Sequence, residues 1–164
     1  MSIYSYKILI TGSSGYIGRN LVYFLKKRGL KNLFLLDKKI KKNSIKNFKI
    51  DLSNKNQTKF FFKNNKFDFI IHLASLSNIK SFKNDKNKKI FYNLLLTKNI
   101  LNSVKNNPRV IFSSSAAVYG ISKKNKINEK TYLKPINAYG KSKVFSERLF
   151  KDLKFKNFLI LRFF

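Results

Sequence analysis

The stretch from Lys7 to Gly18, K-I-L-I-T-G-S-S-G-Y-I-G, constrains the fold of this chain more than any other. Ile8, Leu9 and Ile10 form an apolar run too short for a helix of its own, and it breaks at Thr11 into a loop with glycine at 12, 15 and 18. Ile17, Leu21, Phe24 and Leu25 then recur at i, i+4, i+7 and i+8, the stripe of an amphipathic helix, and Gly29 stands where a C-terminal cap would. Gly12, Gly15 and Gly18 therefore sit between a buried strand and a helix N-terminus. There the missing side chains let backbone approach a pyrophosphate, and free N–H groups and the positive end of the helix dipole face its charge.

A second apolar run, Leu33 to Leu36, closes in Asp37, 19 residues after Gly18. That is close to where a dinucleotide-binding unit places the carboxylate for the ribose hydroxyls. An acid there repels a 2′-phosphate and favours NAD over NADP, a preference that the adjacent Lys38 and Lys39 weaken.

The alternation continues along the chain. After a basic link from Lys38 to Asn47 come a short strand Phe48 to Ile50, ending in Asp51 and Leu52, and a helix carrying Phe60, Phe61 and Phe62. Phe67 to Leu73 reads as a buried strand, and Ile90, Leu94, Leu101 and Val104 mark a long helix ending before Pro108. Arg109 to Phe112 is the next strand, Asn137 to about Lys154 the next helix, and Phe158 to Phe163 the last strand. Strands alternating with helices demand parallel crossovers, so the expected fold is α/β, a doubly wound parallel sheet with ligands at the carboxyl ends of its strands. The glycine loop, Asp37, Asp51, His72 to Ser75 and Ser113 to Ser115 all fall at such ends and are expected to share one crevice. The 164 residues read as one domain, with no repeat and no Pro- or Gly-rich linker.

A formal charge of +29 would ordinarily direct attention to nucleic acid or an anionic membrane. Composition offers a blander source: Phe, Tyr, Met, Ile, Asn and Lys make up 94 of the 164 residues, and Gly, Ala, Arg and Pro only 17. The first set has the most A/T-rich codons and the second the most G/C-rich. The lysines are spread along every segment instead of one stripe, so no specific nucleic-acid partner is expected. With no cysteine there is no disulfide framework or thiol chemistry. The first strand starts almost at once, leaving no room for a signal peptide, and no apolar run approaches about 18 residues. A cytoplasmic protein without a membrane partner is expected.

The residues suited to chemistry are S-S-S-A-A-V-Y-G at 113–120 and Y-G-K-S-K at 139–143. Tyr139 and Lys143 are i and i+4, so both leave one helical face. Alone, such a pair fits packing beside a solvated charge; with serines at a strand end and a nucleotide loop upstream, the catalytic reading is favoured. A tyrosine near its ordinary pKa of about 10 is no base at neutral pH, and lowering it by about three units takes about 4 kcal/mol of preferential stabilisation of the phenolate. An ammonium at Lys143 and a positive nicotinamide ring would supply it, with Ser115 hydrogen-bonding the same substrate oxygen. His72, the single histidine, reads as a structural hydrogen-bonding residue. Glu147 and Arg148 read as exposed helix surface, and Tyr119 and Gly120 as shaping the loop after the serines.

Taken in order, T-G-S-S-G-Y-I-G at 11–18, I-D-L at 50–52, H-L-A-S at 72–75, the serine run, Y-G-K-S-K and L-R-F-F at 161–164 resemble the extended short-chain dehydrogenases/reductases, specifically the NAD-dependent epimerase/dehydratase group. The resemblance implies a Rossmann domain with Tyr16 and Ile17 on the pyrophosphate, Asp37 on the adenosine ribose, and Asp51 with Leu52 at the adenine. Leu73, Ala74, Ser75 and Asn93 would line the cofactor cleft, Lys143 would hold the nicotinamide ribose, and Phe164 would flank the nicotinamide. Ser115, Tyr139 and Lys143 would be catalytic, and no metal is implied. The serine triplet is similar to that of the UDP-hexose 4-epimerases, whereas 4,6-dehydratases carry an Asp-Glu pair in that region, absent here. The implied reaction is oxidation at carbon 4 of a nucleotide sugar, rotation of the keto intermediate and return of hydride to its other face.

Two residues depart from the pattern: Ser77 stands where galactose epimerases tend to carry a lysine, and Leu96 replaces a common glycine before Thr97. The family continues after L-R-F-F into a substrate domain, so residues 1–164 are expected to be the NAD-binding part of a longer protein, truncated before that domain and possessing NAD binding without turnover. Other readings stay open: a dehydratase, decarboxylase or reductase of the same family, or a non-catalytic NAD-binding or basic nucleic-acid-binding module. A homodimer of the full-length protein is also open.

Overall fold

The computed structural model describes residues 2–41, 46–77, 85–121 and 126–164. The strands are β1 (Ile8–Thr11), β2 (Leu33–Leu36), β3 (Asn47–Phe48), β4 (Phe69–His72), β5 (Arg109–Ser115) and β6 (Phe158–Phe163). The helices are α1 (Tyr16–Lys27), α2 (Lys55–Asn64), α3 (Lys86–Ser103) and α4 (Ala138–Asp152). All pairings are parallel, in the order β3-β2-β1-β4-β5-β6. The order reverses between β1 and β4, which opens a crevice at the carboxyl ends of those two strands.

β1 is buried along its whole length, as its unbroken apolar run requires of a strand covered on both faces. The larger core joins Leu9, Leu36, Ile70, Val110 and Phe112 of the sheet to Phe61 and Phe62 of α2, Leu96 and Ile100 of α3 and Phe150 of α4. A smaller one joins Ile8, Ile10 and Leu33 to Val22 of α1. The sheet is thus covered by α1 on one face and by α2, α3 and α4 on the other. Phe60, expected with its two neighbours, faces solvent instead.

Helix ends explain much of the local geometry. Asn54 and Asn137 cap α2 and α4 by accepting from the Gln57 and Gly140 N–H groups at 3.0 and 2.7 Å. α1 has no side-chain cap, Gly15 standing in that place.

Several expected boundaries move. β3 pairs only at Asn47 and Phe48, so Ile50 and Asp51 lie beyond the ladder. β5 runs three residues past Phe112, because β6 pairs along it as far as Ser115↔Phe163; the serines are the end of the strand itself. The expected link over residues 38–47 falls partly outside the described residues, at 42–45. Among the described residues no helix is long and apolar enough to cross a membrane.

Candidate active site

The glycine loop is shaped by contacts that exclude side chains. Gly12 has φ +70°, and a Cβ there would lie 2.6 Å from the Ala74 nitrogen. A Cβ at Gly18 would overlap the Gly12 carbonyl, so α1 starts pressed against the loop. Asp37 is fixed beside it, Oδ2 accepting from the Ser14 N–H at 3.1 Å and Oδ1 from the Lys39 N–H at 2.8 Å. A carboxylate so held keeps lone pairs for two further donors.

These groups open on one cleft of about 470 Å³. Of the residues expected at the site, Gly12, Gly15, Tyr16, Ile17, Gly18, Asp37, Asp51, Leu52, Leu73, Ala74, Ser75, Tyr139 and Lys143 all line it, as does Ser77. Three do not. The Ser115 hydroxyl is hydrogen-bonded to the Tyr139 phenol and accepts from the Ala117 N–H at 3.2 Å. Asn93 is buried in the wall, where Oδ1 accepts from the Leu76 N–H at 2.8 Å and Nδ2 donates to the Leu76 carbonyl and Ser142 Oγ, both at 3.1 Å. It fastens the cleft-lining Leu76 to α3 and α4. Phe164 is 91% exposed and stacks on Tyr119, with ring centroids 6.4 Å apart.

At the opposite end from Asp37, α4 presents Tyr139 and, one turn on, Lys143. Lys143 is buried; Nζ donates to the Ser113 carbonyl at 2.7 Å and lies 5.7 Å from the Tyr139 ring centroid. Burial pulls its pKa from 10.5 down to about 8, against the Glu147 carboxylate, which raises it. Burial pushes the Tyr139 phenol above its ordinary 10, against the Ser115 hydroxyl, which lowers it. α4 comes this close because of Gly140: a Cβ there would overlap the Ala117 carbonyl and sit 3.0 Å from Pro135 Cβ.

His72 closes β4 fully buried, Nδ1 at 2.8 Å from Thr11 Oγ1 and Nε2 at 3.2 Å from Thr97 Oγ1. Thr11 Oγ1 also accepts from the Ala74 N–H at 3.3 Å, so one hydroxyl ties the ring to the turn after β4. Burial, helped by the Lys143 charge, lowers the imidazole pKa to about 3. It is a neutral structural group, as its place in the motif suggested.

Glu147 is not surface, contrary to expectation. It is 6% exposed, accepts from Ser114 Oγ, and takes a two-pronged pair from Arg162, Nε to Oε1 at 3.1 Å and NH2 to Oε2 at 2.8 Å. Arg162 also donates to the Tyr119 hydroxyl at 2.8 Å. The available signal was Arg162 itself, a cation inside an apolar strand, which needs a buried partner. The sequence reading also missed Tyr92, one residue from Asn93, which lines the cleft with Leu96, i and i+4 along α3. Its hydroxyl donates to Asp51 Oδ1 at 3.2 Å and accepts from Lys38 Nζ at 2.8 Å. Burial works against ionisation of Asp51, but the Ser53 backbone and hydroxyl donors, Lys38 and Tyr92 hold its pKa below the ordinary value.

Known proteins share much of this sequence and fold. The chain is 34% identical to a UDP-glucose 4-epimerase of Lactobacillus helveticus, over 87% of this chain and 46% of that protein. It is 31% identical to a GDP-6-deoxy-D-talose 4-dehydrogenase of Aggregatibacter actinomycetemcomitans, over 95% and 51%. The structure of the UDP-Glc/GlcNAc 4-epimerase of Campylobacter jejuni superposes with a TM-score of 0.85 at 32% identity, covering 98% of this chain and 54% of that one. The chain therefore spans about half the length of the relatives it matches. Residues 8–164 match the NAD dependent epimerase/dehydratase family, and the chain belongs to that family.

Proposed function

We propose that residues 1–164 are the NAD-binding and proton-transferring part of a nucleotide-sugar epimerase of the UDP-hexose 4-epimerase kind. The observation that carries this is one helical turn: Tyr139 and Lys143 of α4 enter the same cleft as the glycine loop, with Ser115 hydrogen-bonded to the phenol. A hydride-transferring alcohol chemistry needs a proton acceptor beside a dinucleotide site; the other phenol of the cleft with a cation beside it, Tyr92 with Lys38, has its proton committed to Asp51.

The cleft fits NAD on its own geometry. The side-chain-free face at Gly12 and Gly18 and the uncapped start of α1 at Tyr16 and Ile17 suit the pyrophosphate, and the Asp37 carboxylate suits two ribose hydroxyls. Asp51 and Leu52 would stand at the adenine, Leu73 to Ser75 along the middle, and Lys143 at the nicotinamide ribose. Asn93 acts through Leu76, and no cofactor contact is assigned to Phe164. Bound NAD supplies the hydride acceptor and later the donor, together with a positive ring.

The protein groups manage the proton. Left to its surroundings, Tyr139 stays protonated at neutral pH, and because burial raises its pKa above the ordinary value, more than about 4 kcal/mol of added phenolate stabilisation must come with the ligands. Ser115 orients the phenol toward the C4 oxygen of the sugar. Lys143, held by the Ser113 carbonyl, keeps a positive charge near the ring below about pH 8.

The dehydrogenase relative favours a second reading, oxidation or reduction at C4 without inversion. Joining residues 1–164 to the carboxyl-terminal half of the Lactobacillus helveticus enzyme and following UDP-glucose and UDP-galactose by proton NMR separates the two. We expect interconversion, lost by at least 100-fold in Tyr139→Phe while NAD binding persists. A protein that binds NAD but interconverts no UDP-hexose, with Tyr139→Phe indistinguishable, overturns the epimerase reading; a stable 4-keto-6-deoxy product marks a dehydratase.

A further inference from the structure

The NAD preference read from Asp37 meets a difficulty at Lys38 and Lys39. A 2′-phosphate carries up to about two negative charges, and a cation beside the ribose is what accommodates it. Lys38 follows Asp37 directly, so its ammonium would be well placed for that task if it lay along the ribose edge.

The side chain goes elsewhere. Lys38 Nζ donates to the Tyr92 hydroxyl at 2.8 Å and lies 4.8 Å from the centroid of the Tyr92 ring. Tyr92 itself donates a hydrogen bond to Asp51 Oδ1 at 3.2 Å. Asp51 is in turn fixed by the Ser53 N–H at 2.9 Å and the Ser53 hydroxyl at 2.7 Å. The ammonium is therefore tied across the cleft, from the end of β2 to α3 and the segment after β3. Asp37 faces the glycine loop, its oxygens met by backbone N–H groups of Ser14 and Lys39; among the described residues no lysine forms an ion pair with it, and Lys38 acts on it only as a charge at longer range.

We propose that Tyr92, working with Asp51, makes this cleft selective for NAD by drawing the Lys38 ammonium off the ribose edge, where it would otherwise receive a 2′-phosphate. The proposal rests on the reading that the dinucleotide's adenosine end occupies this cleft. Selectivity in this chain then has two parts, an anion that repels the phosphate and a cation kept occupied by a phenol and a second carboxylate. Tyr92 is a positioning residue here, because its effect on the phosphate runs through Lys38.

The test is a set of calorimetric titrations of the 164-residue chain with NAD and with NADP at one fixed ionic strength, in the parent, Tyr92→Phe, Lys38→Ala and the double variant. The readout is the ratio of the NADP to the NAD dissociation constant. Tyr92→Phe frees the ammonium and is expected to lower that ratio by about tenfold, in keeping with the loss of one hydrogen bond to a charged group. Lys38→Ala is expected to leave the ratio at or above the parent value, and to erase the gain in the double variant. A ratio unchanged by Tyr92→Phe, or a gain that survives the loss of Lys38, overturns the proposal while NAD binding itself stands. Failure of the parent to bind either dinucleotide overturns the cofactor reading and this proposal with it.

Discussion

His72 is the residue whose charge the fold most strongly forbids. Both ring nitrogens are committed to threonine hydroxyls, and Lys143 adds a positive field. Its folded pKa of about 3 lies below the ordinary 6.5, so between those values the unfolded chain takes the proton and the native one does not. Stability is therefore lost as pH falls below 6.5, at up to about 1.4 kcal/mol per pH unit. Carboxylates titrate mainly below about pH 5. Urea melts from pH 7.5 to 5 should thus show a loss of about 2 kcal/mol, absent in His72→Gln; a flat profile in the parent would contradict the burial of a neutral imidazole. His72 was readable as a hydrogen-bonding residue because it ends an apolar strand. Tyr92 was not, because a tyrosine among apolar helix positions looks like packing until Asp51 and Lys38 are brought to it from two other elements.

At the level of elements, α4 is held at both ends of its working face. Gly140 lets its first turn meet Ala117, and Glu147 binds its third turn to β6 through Arg162 and to β5 through Ser114. Tyr139 and Lys143 lie between these anchors. Replacing Arg162 by Met leaves the Glu147 carboxylate buried without its cation, and urea denaturation should show a loss of about 3 kcal/mol. Adding Glu147→Gln to that variant should recover a good part of the loss, since the uncompensated charge goes; equal instability of single and double variants would mean the pair contributes only packing. The elements themselves were legible because strand and helix periods differ and glycine or asparagine marks their ends. Their limits were less so: β3 shrank to two ladder residues and β5 grew by three serines, since pairing partners distant in sequence set where a ladder stops. The burial of Glu147 escaped for the same reason, its partner lying 15 residues away on another element.

Across the whole molecule, the cleft gathers side chains from the ends of β1, β2, β4 and β5 and from α1, α3 and α4, and the spacing of the motifs made that gathering foreseeable. The charge of +29 belongs to the surface as a whole. Random-sequence duplex DNA should therefore bind at low salt and lose about 1,000-fold or more in affinity between 50 and 200 mM, the mark of counterion release, in fluorescence anisotropy. Affinity for one sequence that survives 200 mM salt would instead make nucleic acid a partner. The strand ladders are unequal: among the described residues six pairs join β5 to β6 and two join β2 to β3. Heat or denaturant will find its easiest entry at the thin margin beside Asp37 and Asp51, so a warming molecule gives up the proposed adenosine end of the cleft while the serine-bearing margin still stands.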